Sequence, residues 1–137
     1  MSLVLDASSA LAWIFEDERT DQTEALLDRV AQQGAIVPGI WRLEVFNALR
    51  SAIRRKRITT DYRDAALVQL QALVIVADAE TDARAWGAIA TLSVRFDLTP
   101  YDAAYLELAL RTGAELATRD AQLRAAAAGV GVEVSPQ

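Results

Sequence analysis

Four acids, Asp6, Glu44, Asp102 and Asp120, stand at positions that a fold of alternating strands and helices brings together. Asp6 and Asp120 each follow a short apolar run that reads as a strand, Leu3-Val4-Leu5 and Leu116-Ala117. Glu44 opens a helix that follows a third such run, Ala35-Ile36-Val37. Asp102 falls in line with Tyr105, Leu106, Ala109 and Leu110, the apolar stripe of its own helix. A carboxylate on such a stripe is costly unless it is paired or holds a cation. Unpaired carboxylates gathered at one place repel and raise one another's pKa values. One or two hard divalent cations, Mg2+ or Mn2+, relieve that repulsion with oxygen ligands alone. Hydroxyls accompany the acids: Ser8 lies two residues after Asp6, and Thr118 shares a side with Asp120 if strand geometry continues. Asn47 and Ser51 share the side of the helix that carries Glu44.

Each acid also has a plainer reading. Asp6 and Asp120 suit helix N-caps, and Glu44 suits the dipole of an early helical turn. Asp102 fits its plain reading least, because a core-facing stripe is the wrong place for a solvated charge.

Composition narrows the chemistry. The chain has 137 residues and is 53% hydrophobic, enough for one domain with a sizeable core. It has no cysteine and no histidine, which removes disulfides, the usual zinc sites, thiol nucleophiles and any imidazole base. The formal net charge of −5 argues against a passive nucleic-acid coat, but not against a nuclease with local basic patches. No apolar run is long enough to span a membrane and no signal peptide opens the chain, so a soluble cytoplasmic protein is expected.

The elements that must position the acids alternate. Strands are predicted at Leu3–Leu5, Ala35–Val37, Val74–Val76 and Glu115–Ala117, with a fifth at Val132–Val134. Helices are predicted from about Ser8 to Glu16, from Thr20 as cap to Gln33, and from Ile40 to Arg57 with Val45, Phe46, Leu49, Ala52 and Ile53 inward. Further helices span Asp61–Leu70, Asp82–Phe96, a stretch opened by Thr99-Pro100 and closed at Gly113, and a short piece from Ala121. Such alternation implies a parallel α/β sheet with helices on both faces and a ligand site at the carboxyl ends of the strands. The basic run Arg54-Arg55-Lys56-Arg57 reads first as a solvated helix end suited to the dipole, ahead of a phosphate contact. Trp41 and Tyr101 stand close to acids, where base stacking is conceivable but core packing is the commoner use.

The segments Asp6-Ala7-Ser8-Ser9-Ala10-Leu11, Glu44 with Asn47-Ala48-Leu49, Tyr101-Asp102-Ala103-Ala104-Tyr105 and Leu116-Ala117-Thr118-Arg119-Asp120 resemble, in order, the PIN domain. They fit best the VapC toxins of type II toxin–antitoxin modules. The resemblance covers nearly the whole chain, and all four acidic positions are filled. It implies a PIN-like three-layer α/β fold in a single domain over residues 1–137, with a parallel sheet of about four or five strands. It implies an endoribonuclease dependent on Mg2+ or Mn2+, with Asp6, Glu44, Asp102 and Asp120 as ligands or supporting acids and Ser8, Thr118 and Asn47 assisting. A metal-activated water would leave 5′-phosphate and 3′-hydroxyl ends. It also implies a homodimer and a cognate VapB-type antitoxin; exposed apolar residues on the helices between residues 41 and 96 are the candidate dimer surface.

Two other classes compete. A phosphoacceptor domain gathers acids and Mg2+ at the same sheet edge but needs a Lys after a late strand, and the lone Lys56 lies in a predicted helix. A dehalogenase-type phosphotransferase would need an acid where Ser8 stands. A catalytically silent RNA- or protein-binding domain would have no use for the complete acid set.

Overall fold

A computed structural model describes residues 2–136 of the chain. Strands β1 (Leu3–Leu5), β2 (Ala35–Val37), β3 (Ile75–Ala77) and β4 (Glu115–Ala117) form one parallel sheet in the order β3-β2-β1-β4. All three residues of β1 are buried, as a central strand requires, whereas Val76 on the edge strand β3 is 55% exposed. Helices α1 (Ala7–Ile14) and α2 (Asp21–Gln33) lead from β1 to β2, and α3 (Trp41–Arg54) and α4 (Thr60–Gln71) from β2 to β3. The chain then reverses direction. Through α5 (Thr81–Arg84), α6 (Ala90–Phe96) and α7 (Pro100–Thr112) it reaches β4, on the far side of β1, and α8 (Ala121–Gly129) follows. With right-handed crossovers, a reversal of direction puts α5–α7 on the opposite sheet face from α1–α4. The reversal lies between β1 and β4, and ligands bind in the crevice outside the carboxyl ends of the strands at such a point.

Local signals explain most of the boundaries. Thr20 caps α2 in a reciprocal box with Thr23, and Thr59 and Thr99 accept from the backbone N–H of Tyr62 and Asp102, each at 3.1 Å. Pro100 fills the first position of α7, and Gly113, left-handed at φ 67°, ends it. No described helix is long and apolar enough to cross a membrane.

Five expectations need correcting. The helix from Ile40 stops at Arg54, not Arg57. Lys56 adopts a left-handed φ of 61°, Lys56 N–H donates to Ile53 O at 2.9 Å, and Arg57 N–H donates to Ala52 O at 2.8 Å. This is a Schellman turn built without the glycine that usually announces it. The expected helix Asp82–Phe96 is broken by a π-helical segment at 85–89, where Gly87 leaves helical geometry (φ −104°, ψ −108°). The strand expected at 132–134 is a single bridge, Val134 to Leu116, so the sheet has four strands among the described residues. Phe46 and Leu110, expected inward, are 43% and 41% exposed. Strand β3 begins one residue later than expected, at Ile75.

Gly34 joins α2 to β2 with φ 74° and ψ −175°, a region open almost only to glycine. A Cβ there would meet Val74 O at 2.8 Å, while a Cβ on Gly113 would meet nothing within 4 Å. Gly34→Ala is therefore expected to cost about 2–3 kcal/mol, and Gly113→Ala about 1 kcal/mol. Urea denaturation of the two variants checks this, and equal losses would contradict it.

Candidate functional site

The end of β1 and the end of β4 are laced together around one carboxylate. Asp6 is 5% exposed, and its backbone N–H donates to Ala117 O at 2.9 Å. Its Oδ2 accepts from the Thr118 hydroxyl at 2.6 Å and from the Ser8 hydroxyl at 2.8 Å. Those hydroxyls are held in turn: the Arg119 N–H donates to Ser8 Oγ and the Asp120 N–H to Thr118 Oγ1, both at 3.1 Å. Asp6 does occupy the N-cap position of α1, yet its side chain makes no capping bond. The cap reading holds for its backbone only. Burial drives the Asp6 pKa up, the two hydroxyls oppose the rise, and the Asp120 charge adds to it.

Glu44 reaches the site from the first turn of α3. Its Oε1 accepts from the phenol of Tyr105, on α7, at 2.5 Å. Tyr105 is fully buried, and burial and the Glu44 charge raise its own pKa, so it is the donor. The Glu44 pKa is raised by burial, lowered in part by Tyr105, and raised again by the charges of Asp6 and Asp102. Asp102 sits one turn before Tyr105 and is half-buried. Burial and the charges of Asp6 and Asp120 push it up to about 6. Every one of the seven residues from Ala103 to Ala109 is buried, so α7 is enclosed on all sides and does not carry a single apolar stripe. Asp120 is exposed, and its Oδ1 accepts from the Leu123 N–H at 2.8 Å, so it also caps α8 as its plainer reading anticipated. Asn47 is exposed and shares with Glu44 a groove along α3.

The four acids thus feel one another's charge, and no Arg or Lys ion-pairs with any of them among the described residues. No three acids are close enough among the described residues to form a ready-made cation cage. The donor chemistry nevertheless suits a hard divalent cation: only oxygen donors are present, and three of the acids have raised pKa values. The bonds just named fall on Oδ2 of Asp6, Oε1 of Glu44 and Oδ1 of Asp120, leaving the second oxygen of each outside them.

Sequence reasoning missed Tyr105 as a partner of Glu44, reading it only as core. It also missed a second cluster. Arg111 on α7 donates to Asp78 at 2.5 Å, to the buried Glu107 at 2.9 Å and to Glu80 at 3.3 Å. The i,i+4 spacing of Glu107 and Arg111 was the available signal.

An acid whose pKa rises on folding favours the folded state when protonated. The contribution of Asp102 is whole below its ordinary 3.8 and is lost as pH rises through about 6, and Asp6 and Glu44 act in the same sense. The melting temperature in EDTA is expected to fall across that window, and Mg2+ to restore it at neutral pH. A profile in EDTA that is flat there, and unmoved by Mg2+, would contradict a shared acid field. Tyr105→Phe keeps the ring but removes the donor to Glu44, with an expected cost of about 1–3 kcal/mol and a further rise in the Glu44 pKa. Chemical denaturation and carboxyl NMR titration read the two effects.

Comparisons with known proteins place the chain in a family and support its fold. The family model described as the PIN domain matches residues 3–129. The protein named Ribonuclease VapC3, from Pyrobaculum aerophilum, is 32% identical over 127 residues, covering 90% of this chain and 92% of its own. The crystal structure of PAE2754 from Pyrobaculum aerophilum superposes with a TM-score of 0.70 at 23% identity, over 98% of this chain and 83% of that one. The crystal structure of FitAcB from Neisseria gonorrhoeae gives 0.64 at 17% identity, over 98% and 96%. At these identities the two structures speak for the fold.

Proposed function

The chain belongs to the PIN domain family, and on that premise we propose that it is a metal-dependent endoribonuclease, the toxin of a toxin–antitoxin module. The reading takes residues 1–137 as a single PIN domain in the cytoplasm. The observation that carries it is the convergence of Asp6, Glu44 and Asp102 into one field, with raised pKa values and no cationic side chain paired to them among the described residues. The similarity to a protein named Ribonuclease VapC3 supports the substrate class.

Asp6, Glu44, Asp102 and Asp120 would hold Mg2+, or Mn2+ in its place. A divalent cation bound there would supply charge neutralisation for the phosphodiester and a more acidic water. Thr118 and Ser8 fix the rotamer of Asp6, and Tyr105 fixes that of Glu44, so the acids face the substrate already oriented. Burial of Asp6 keeps bulk water from one side of the site. Cleavage is expected to leave 5′-phosphate and 3′-hydroxyl ends. The alternative route through the ribose 2′-hydroxyl needs a base and an acid near neutrality, and the chain has no histidine to act as either.

The partners in this reading are RNA, a VapB-type antitoxin and a second copy of the chain. Leu43, Val68, Trp86 and Val94 are 67–99% exposed, which supports a dimer surface on the helices between residues 41 and 96.

The test is cleavage of end-labelled total RNA with Mg2+ or Mn2+, against EDTA, with the end chemistry mapped. Asp102→Asn and Asp6→Asn are each expected to lower cleavage by at least about 100-fold while circular dichroism stays that of the wild type. Cleavage that persists in EDTA, or at wild-type rate in Asp102→Asn, would sink the assignment. Neither cleavage nor metal binding by the wild type would favour a silent binding domain.

A further inference from the structure

The groove at Glu44 extends well beyond the acids. Glu44, Asn47, Ala48, Ser51, Ala52 and Arg55 follow one another at intervals of three and one along a single face of α3 and its cap. With Phe15 and Arg57 they line an open groove of about 340 Å³. Eleven residues of helix separate Glu44 from Arg55, about 16 Å along the axis. The two alanines keep the floor low, and Asn47 and Ser51 offer an amide and a hydroxyl.

The far end is cationic by construction. The left-handed turn at Lys56 folds Arg57 back over the groove, where its guanidinium lies 4.3 Å from the centre of the Phe15 ring. Asp17 and Glu18, at 3.2 and 3.4 Å, hold Arg57 there and take part of its charge. Arg55 forms no ion pair among the described residues, so it is the uncommitted cation of the groove. The basic run is therefore more than the solvated helix end that its sequence first suggests. Part of it is turned onto the face that carries Glu44.

We propose that this groove holds the single-stranded RNA on one side of the cleaved bond, with Arg55 on a backbone phosphate and Asn47 and Ser51 on ribose or phosphate oxygens. The inference rests on the ribonuclease reading. Charge complementarity selects this occupant. A polyanion must be held close to four acids by a chain of net charge −5, and an unpaired arginine about three turns from Glu44 does so through counterion release. Hydroxyl and amide groups between the two ends match the ribose 2′-hydroxyl.

The test is fluorescence anisotropy of a short fluorescein-labelled single-stranded RNA of mixed sequence, across a salt series with Mg2+, in an Asp102→Asn background that prevents cutting. The slope of log affinity against log salt is expected to fall by about 0.7 on Arg55→Ala, the value for one phosphate on a single strand. Arg55→Lys is expected to keep the slope. So is Arg29→Ala, which removes the same charge from the opposite sheet edge, where Arg29 pairs with Glu115. Unchanged affinity and slope in Arg55→Ala, with the parent binding RNA, overturn the groove and leave the nuclease reading intact. A parent that binds no RNA overturns the groove as well, while cleavage of total RNA judges the nuclease reading separately.

Discussion

The structure turns on holding one buried carboxylate at the place where the sheet reverses direction, where burial disfavours its charged form and its hydrogen bonds favour it only in part. Removing an ion from water costs several kcal/mol, and among the described residues no cationic side chain pairs with Asp6 to offset that. Two hydroxyls and the tight pairing of β1 with β4 do part of the work. Each contributor is itself fixed by the neighbouring backbone, through Arg119 N–H on Ser8 and Asp120 N–H on Thr118. The loops after β1 and β4 therefore cannot move independently without exposing or orphaning the Asp6 carboxylate. The strand order β3-β2-β1-β4 matters for the same reason, because it alone brings residues more than a hundred positions apart side by side.

Much of this was legible from the residues. Caps and stops with a specific chemistry gave the right boundaries: Thr20, Gly34, Thr99, Pro100 and Gly113 each do locally what their side chain or its absence favours. Misplaced boundaries came where the stop was made by a residue that does not advertise it. Lys56 adopts a conformation that costs a side-chain-bearing residue about 1–2 kcal/mol, and tertiary contacts of Arg57 with Phe15, Asp17 and Glu18 accompany it. The missing fifth strand has a similar cause. Val132-Glu133-Val134 has strand-like residues, but it pairs with a three-residue β4 at a single bridge.

At the site, the four acids were visible because acids after strands and at helix starts are individually ordinary and jointly unusual. What each side chain does there was only partly visible. Asp6 and Asp120 both sit at N-cap positions, yet one carboxylate turns away from its helix and the other caps it. No local pattern separates the two cases, since the difference lies in Thr118 and Ser8 competing for Asp6. Tyr105 was hidden for another reason: a buried tyrosine on an apolar helix looks like packing until the position of Glu44, 61 residues away in sequence, is known.

Helix α7 carries the strongest argument about what the site lacks. It bears two partly or fully buried acids, Asp102 and Glu107, less than two turns apart. Glu107 is matched by Arg111, which also holds Asp78. At Asp78 burial alone would raise the pKa, but the hydrogen bonds and charge of Arg111, joined by hydrogen bonds from the Glu80 backbone and Thr81, outweigh it and hold the carboxyl below its usual range. The same helix leaves Asp102 with other acids for company, and its pKa moves the other way, to about 6. The fold thus has an arginine solution for buried acids and applies it a short distance from the site. Within the site it leaves the negative charge uncompensated, and a charge left so by a chain able to neutralise it is best understood as half of an interaction whose other half arrives from solution.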